Sequence, residues 1–190
     1  ERVDLKDIAD ILNGYAFDSK HFNQLNGFPL IRIRDIGQIK TECRYLGPYK
    51  EEYLVNKGDL IIGMDGDFNL YRWQGEQALL NQRVCKIILK TKLYEEKFLE
   101  IVLQGYLDEI NKMTSSQTVK HISSKDIYQI PLPLPPLAEQ RRIVAAVEAL
   151  LARVNASRER LDRVPGLLKA FRQAVLAAAC SGRLTEGWRE

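Results

Sequence analysis

Apolar residues follow two patterns along this chain, and the pattern changes at a run of prolines. Up to about residue 135 they come in short bursts separated by turn residues. FPLIRIRDI (28–36), GDLIIGM (58–64) and RVCKIILK (83–90) are short, rich in β-branched residues and bounded by Gly, Asn or Asp, which predicts strands. In EEKFLEIVLQGYLDEINKM (95–113), Phe98, Ile101, Val102, Gly105, Tyr106 and Ile110 recur at helical spacing, which predicts one amphipathic helix. SSKDI places Ser123 and Asp126 at capping-box spacing, so a second helix is expected to start there and to end before IPLPLPP. Strands and helices without regular alternation predict an α+β domain over residues 1–135 rather than a doubly wound sheet.

Beyond Pro136 the period becomes that of a coiled coil. Ile143, Val147, Leu150, Val154, Ser157, Leu161, Val164, Leu168, Phe171 and Val175 are separated alternately by four and three, and all but Ser157 are apolar. A 3.5-residue repeat held this long favours a partner helix, with these residues as the dimerisation seam and Ser157 as a polar layer near Arg153, Arg158 and Arg160. Leu151, Ala145 and Ala146 widen the stripe, leaving open a terminal helix packed on its own domain. Pro165 and Gly166 fall inside this helix, so a kink or short break between coaxial segments is expected, with Gly182 as the residue that ends the second segment. The expected division is thus a domain over 1–135, a helical spacer over 136–182 spanning roughly 65 Å, and a tail or junction over 183–190. Pro131, Pro133, Pro135 and Pro136 are expected to hold the exit from the domain extended, with Pro136 near the first helical position.

Composition narrows the class without naming a chemistry. The 190 residues are 45% hydrophobic and 28% charged, as in an ordinary globular protein, and no run of 18 apolar residues offers a membrane span. The chain opens at Glu1 with no apolar leader, so no signal peptide is expected, and the missing initiator Met points to a fragment. Cys43, Cys85 and Cys180 are odd in number and far apart, which fits reduced cytoplasmic thiols. With two histidines, His21 and His121, no metal centre is expected. The net charge of +3 is uneven: residues 136–190 carry 10 Lys+Arg against 6 Asp+Glu, and residues 1–135 carry 18 against 19. Nucleic acid, if bound, must meet a local patch on the domain rather than a broadly basic surface.

Several stretches, in order, resemble a known family. LKDIADILNGYAF, FPLIRIRDI, GDLIIGMDGDF and ALLNQRVCKI, then HISSKDI, IPLPLPPLAEQRRIVAAVEALL and LLKAFRQAVLAAACSGRLT, resemble one target recognition domain and one conserved region of the specificity (S) subunits of type I restriction-modification enzymes. The resemblance implies a noncatalytic, cytoplasmic subunit that reads double-stranded DNA for modification (methyltransferase) and restriction subunits. A full family member holds two recognition domains and two helical regions that pair antiparallel. This chain carries one of each, so it is expected to be a fragment or a half subunit that dimerises through antiparallel helices. No cofactor is implied for this chain; S-adenosylmethionine, ATP and Mg would belong to partner subunits.

The residue chemistry bears on the same question. Asp65, Asp67 and Asn69 in MDGDFNLYRWQGE offer acceptors and an amide to base edges, and Arg72 a donor to guanine or phosphate. The plainer reading is a turn at Asp65-Gly66 between two strands, with Tyr71 or Trp73 in the core. Asn81, Gln82 and Arg83 are of the kinds that make bidentate base contacts, or they mark a solvated strand start. Ser116, Gln117 and Lys120 in TSSQTVKH, and Tyr15, Ser19 and Lys20 in GYAFDSKHF, suit phosphate contacts; plain loops with capping hydroxyls are the alternative. Arg32 and Arg34 alternate along the first predicted strand, sharing either a DNA-facing or a solvent face.

The same residues suggest two other chemistries. Asp65, Asp67, Asn69, Tyr71 and Glu76 imitate the offsets of a calcium loop, but Leu70 stands where that loop needs glycine. Asp65 or Asp67 followed by Glu95, Glu96 and Lys97 imitates a metal-dependent nuclease, although acidic residues are also favoured at a helix start. No Gly-rich methyltransferase loop and no Walker A sequence is present. The expected function is therefore sequence-specific DNA binding, with a nuclease fragment or a plain coiled-coil oligomerisation module as alternatives.

Overall fold

A computed structural model describes residues 1–114 and 120–188. The chain divides into two compact units, Glu1–Val144 and Ala145–Glu190.

The first unit is α+β. In chain order its elements are β1 (Arg2–Asp4), α1 (Leu5–Ile8), β2 (Ala9–Asn13), β3 (Phe22–Asn23), β4 (Phe28–Ile31), β5 (Cys43–Tyr45), β6 (Leu54–Val55), β7 (Leu60–Gly63), β8 (Leu70–Arg72), β9 (Ala78–Leu80), β10 (Val84–Leu89), α2 (Glu96–Met113), α3 (Ser124–Tyr128) and β11 (Pro131–Pro133). The long helix α4 (Leu137–Cys180) follows. Among the described residues three sheets form, ordered β1-β11, β2-β10-β7-β8 and β3-β5-β4-β9-β6. Among the described residues the strand pairs are antiparallel except β4 with β9.

Burial explains why β7 is an unbroken apolar run. Successive strand residues point to opposite faces. Leu60 and Ile62 join the core beneath α2, while Ile61 joins a second cluster with Ile31, Val55, Trp73 and Leu80. Both faces of β7 are covered, so no polar position survives in it. On α2 the fully buried residues are Phe98, Leu99, Leu103 and Leu107. Of the other residues read at helical spacing, Ile101, Val102, Tyr106 and Ile110 are half-buried beside these, and Gly105 is exposed.

The first predicted strand is shorter than its pattern. It ends at Ile31, and Ile33–Asp35 is a 3-10 turn. The buried Asp35 carboxylate takes the backbone N–H groups of Arg32 (2.8 Å) and Glu42 (3.2 Å), so these donors go to a side chain rather than to a neighbouring strand. Arg32 and Arg34 therefore do not alternate along one strand face.

The helix start at Ser123 is as read from the sequence. Ser123 and Asp126 form a reciprocal capping box, with Ser123 N–H donating to Asp126 Oδ2 at 2.9 Å and Asp126 N–H to Ser123 Oγ at 3.3 Å. Ser123 Oγ also donates to Asp126 Oδ2 (2.6 Å), and this bond, followed by that from the Ser123 backbone N–H, holds the Asp126 carboxyl below its ordinary value. The first part of the proline run, Pro131–Pro133, is an extended, paired strand. Leu132, fully buried, lies opposite Val3, while Pro131 and Pro133 lie opposite Asp4 and Arg2 in a two-stranded ribbon whose length suits residues without an N–H. Pro136 sits one position before the helix, and its carbonyl accepts from Glu139 (2.8 Å) and Gln140 (3.0 Å). In the first turns of α4, Val144 is buried and Ile143 packs half-buried on the same core, so this first seam residue is partly used within its own domain.

The second unit is the remainder of α4 and a 3-10 segment, Arg183–Trp188. α4 is helical continuously through Pro165, so of the expected kink or short break no break is present. Leu150, Val154, Leu161, Val164, Leu168, Phe171 and Val175 are all exposed, and Val147 is half-buried. Ser157 Oγ turns back to Arg153 O at 2.9 Å. Gly182 ends the helix as expected: its φ is +71°, and its N–H donates to Ala179 O at 3.1 Å.

Candidate nucleic-acid interface

Four backbone segments converge on one face of the first unit. Met64 N–H donates to Arg83 O (2.9 Å), Ile122 N–H to Met64 O (2.9 Å) and Gly66 N–H to Lys120 O (3.2 Å), and Asp65 and His121 are paired antiparallel between them. On the other side, Gly14 N–H donates to Val84 O (2.9 Å), Tyr15 N–H to Leu80 O (3.0 Å) and Gln82 N–H to Tyr15 O (2.9 Å). Only glycine fits at position 14, because a Cβ there would run into the Asn81 carbonyl. The turn from β9 to β10 puts Arg83 at φ +72°, a left-handed conformation uncommon for a residue with a side chain.

Side chains on this platform form three hydrogen-bonded groups. Asp65 Oδ1 lies 3.3 Å from Arg83 Nη1, which donates to it, and 2.6 Å from His121 Nδ1. Lys120 Nζ donates to Asn111 Oδ1 (2.7 Å), and Asn111 Nδ2 to the Asp67 carbonyl (3.4 Å). Ser124 Oγ donates to Asn13 Oδ1 (2.9 Å). Asn13, Gln82, Arg83, His121, Ser123 and Ser124 line an open pocket of about 440 Å³. An exposed amide, a guanidinium, an imidazole and hydroxyls on rigid backbone match what base edges and phosphates require. The charges Arg83, Lys120, Asp65 and Asp67 balance, so the face offers directional contacts rather than a strong field.

The structure sorts the residues expected to touch DNA. Asp65, Asp67, Gln82, Arg83 and Lys120 come together, and half-exposed Tyr15 stands at the rim against Tyr53, with ring centres 5.2 Å apart. Asn69 is exposed at the end of the β7–β8 hairpin, its carbonyl accepting from Gly63 N–H (3.1 Å). Arg72 is committed elsewhere. Its Nε and Nη2 donate to Glu100 Oε2 (2.9 and 2.8 Å), and its Nη1 donates to Gly58 O (2.9 Å) and pairs with Glu96 (3.3 Å). Burial alone would lower its pKa, and the two carboxylates more than offset that. Asn81 is buried at 8% exposure, so it is not presented to a duplex. Arg32 and Arg34 flank Glu42 at 3.8 and 3.9 Å in a separate pocket with Phe22 and Gln24. Lys20 is exposed on the turn Ser19–His21. Ser116 and Gln117 lie outside the described residues. Of the two aromatics, Trp73 is fully buried, its Nε1 donating to Glu76 O (2.7 Å), and Tyr71 is half-buried.

The competing metal chemistries find no site among the described residues, where no three His, Cys, Asp or Glu side chains are placed to hold an ion. Glu76 of the calcium-like loop pairs with Arg44 at 2.7 Å, while Glu95 of the nuclease-like set caps α2 through Phe98 N–H at 2.7 Å. Cys85 is buried, which pushes its thiol up to about 12 and leaves it unreactive at neutral pH. No helix among the described residues is long and apolar enough to cross a membrane.

Residues 1–165 match the family described as the type I restriction modification DNA specificity domain. The chain belongs to this family. It is 51% identical, over 97% of its length, to the type I restriction enzyme EcoBI specificity subunit of Escherichia coli, and 40% identical, over 96%, to the StySPI specificity subunit of Salmonella potsdam. It covers 39% and 42% of those two proteins, so it spans about two fifths of the length of the curated relatives it matches. A solved chain described under complex assembly and conformational transition of the type I R-M system superposes with a TM-score of 0.72 at 26% identity, over 94% of this chain and 45% of that one. The mixed α and β domain followed by a long helix is thus the fold of a specificity domain.

Sequence reasoning missed four members of the specificity domain's site: Asn13, Asn111, His121 and Ser124. His121 enters through backbone pairing with Asp65, and Asn111 through the last turns of α2. Neither lies in a local motif; the available signal for His121 was its place two positions before the N-cap Ser123.

Proposed function

We propose that this chain is a DNA-reading part of a type I specificity subunit, binding one half of a bipartite double-stranded site and directing modification and restriction subunits to it. The observation that carries this reading is the convergence of Gln82, Arg83, Lys120 and His121 on a single rigid face around Asp65. On this reading the chain has no catalytic residues and works in the cytoplasm, where S-adenosylmethionine, ATP and Mg are used by its partner subunits. The domain over 1–135 reads, and the helical region from 136 to 182 joins a second helix.

The exposed seam from Leu150 to Val175 supports antiparallel pairing with a second helical region, supplied by another copy of this chain if it acts as a half subunit. Two recognition domains would then read two half-sites at a fixed spacing. The test is selection by the purified chain from a randomised duplex library. Enrichment of a short motif, reduced by Gln82→Ala and by Arg83→Ala, is the expected result; no enrichment at any salt concentration refutes DNA reading.

A further inference from the structure

We propose that Asp65 is a positioning residue for base recognition: it reads no base itself and holds Arg83, with His121, in the orientation that does. The inference rests on the DNA-reading function above and assigns the acidic residue at its centre a different role from the cytosine contact that a carboxylate in a loop first implies.

Three observations carry it. The Asp65 Oδ1 atom already has two partners, Arg83 Nη1 at 3.3 Å and His121 Nδ1 at 2.6 Å. The Asp65 side chain is 27% exposed, against 55% for Arg83 and 44% for His121, so the carboxylate lies beneath the groups it joins. The backbone at positions 64–66 is bonded on one side to Arg83 and on the other to residues 120–122, so the three groups stand on one framework.

The chemistry follows from the shape of a guanidinium. It is a planar fork of five N–H donors, and reading guanine takes two of them, on O6 and N7. With Nη1 held on Asp65, the Nε and Nη2 edge remains for a base. The left-handed backbone at Arg83 sets where its side chain starts, and Asp65 restrains where it ends. Restraint before binding reduces the rotamer freedom lost on binding, which sharpens discrimination between bases. A carboxylate close to the duplex also repels phosphate, so Arg83 swung away from Asp65 leaves an unpaired charge, and misaligned binding is disfavoured.

The test compares motifs selected from a randomised duplex library by the wild-type chain and by Asp65→Ala, Asp65→Asn, Arg83→Ala and the Asp65→Ala/Arg83→Ala double variant, with thermal melting of each. Arg83→Ala is expected to erase preference at one base position. Asp65→Ala is expected to weaken preference at that same position by on the order of tenfold, with the double variant no worse than Arg83→Ala. Asp65→Asn, which keeps an acceptor for Arg83, is expected to retain the preference in part. If Asp65→Ala melts below the assay temperature, the Asp65→Asn comparison decides the matter. Loss at a different position would show that Asp65 reads its own base, and a uniform loss of affinity with the motif intact would show a structural role only; either result overturns the inference. A wild-type chain that selects no motif overturns the DNA-reading function itself.

Discussion

The carboxamide of Gln140 is fully buried and bridges two chain segments: its Oε1 accepts the backbone N–H of Glu95 at 2.8 Å, while its Nε2 donates to Leu93 O (3.0 Å) and Pro135 O (2.8 Å). The start of α2 and the first turns of α4 are thereby joined within the recognition domain. Gln140→Ala leaves an N–H and two carbonyls without this partner and should cost about 2–4 kcal/mol. Chemical denaturation measures it, and an unchanged midpoint would show that the bridge adds no net stability.

Arg72 separates stability from recognition. Its guanidinium is held by Glu100, Glu96 and Gly58 O, away from the Asp65 network. Because the Arg72 side chain is largely buried, Arg72→Ala should lower stability by about 1–2 kcal/mol. The motif selected from a duplex library should stay the same; a changed motif would place Arg72 on the DNA after all.

The capping box has a pH signature. Hydrogen bonds from Ser123 lower the Asp126 pKa in the folded chain. A lowered carboxylate pKa stabilises the fold above its unfolded value and loses that contribution as pH falls through the folded value. Ser123→Ala should therefore cost about 1 kcal/mol near neutral pH, and the deficit should shrink below about pH 4. Thermal melts of both proteins across that range give the comparison.

The seam residues of α4 are exposed in the single chain, with Leu150 at 59% and Leu161 at 68%. Replacing both with lysine should yield monomers by light scattering if two copies pair through this helix. Dimers of unchanged mass would assign association to another surface.

Local signals in the sequence were legible, and long-range ones were not. The Ser123 capping box, α2 and the strands around residues 60–63 and 84–89 depend on spacings of a few residues. β3 and β6 have two residues each, too few to show a period. The Asp35 carboxylate ends the strand before Arg32 through bonds whose partners the alternation does not reveal. Arg72 sits beside Asn69 in sequence, yet its partners lie on a helix more than 20 residues further on. Asp65, Arg83 and His121 each stood in a polar loop, and only the backbone bonds among residues 64–66, 83 and 120–122 make them one network. Pro131 and Pro133 stand in an extended strand, in keeping with the proline spacing, but its pairing with β1 depends on a segment about 130 residues away, which no local pattern encodes.

The most direct test of DNA reading is methylome mapping of host cells that carry the gene for this chain with its modification and restriction partners, alongside the same cells with Arg83→Ala. The expected result is a bipartite methylated motif that requires this chain, one half of which is lost or altered in the variant. Methylation that is independent of the chain, or a motif untouched by the substitution, would contradict it.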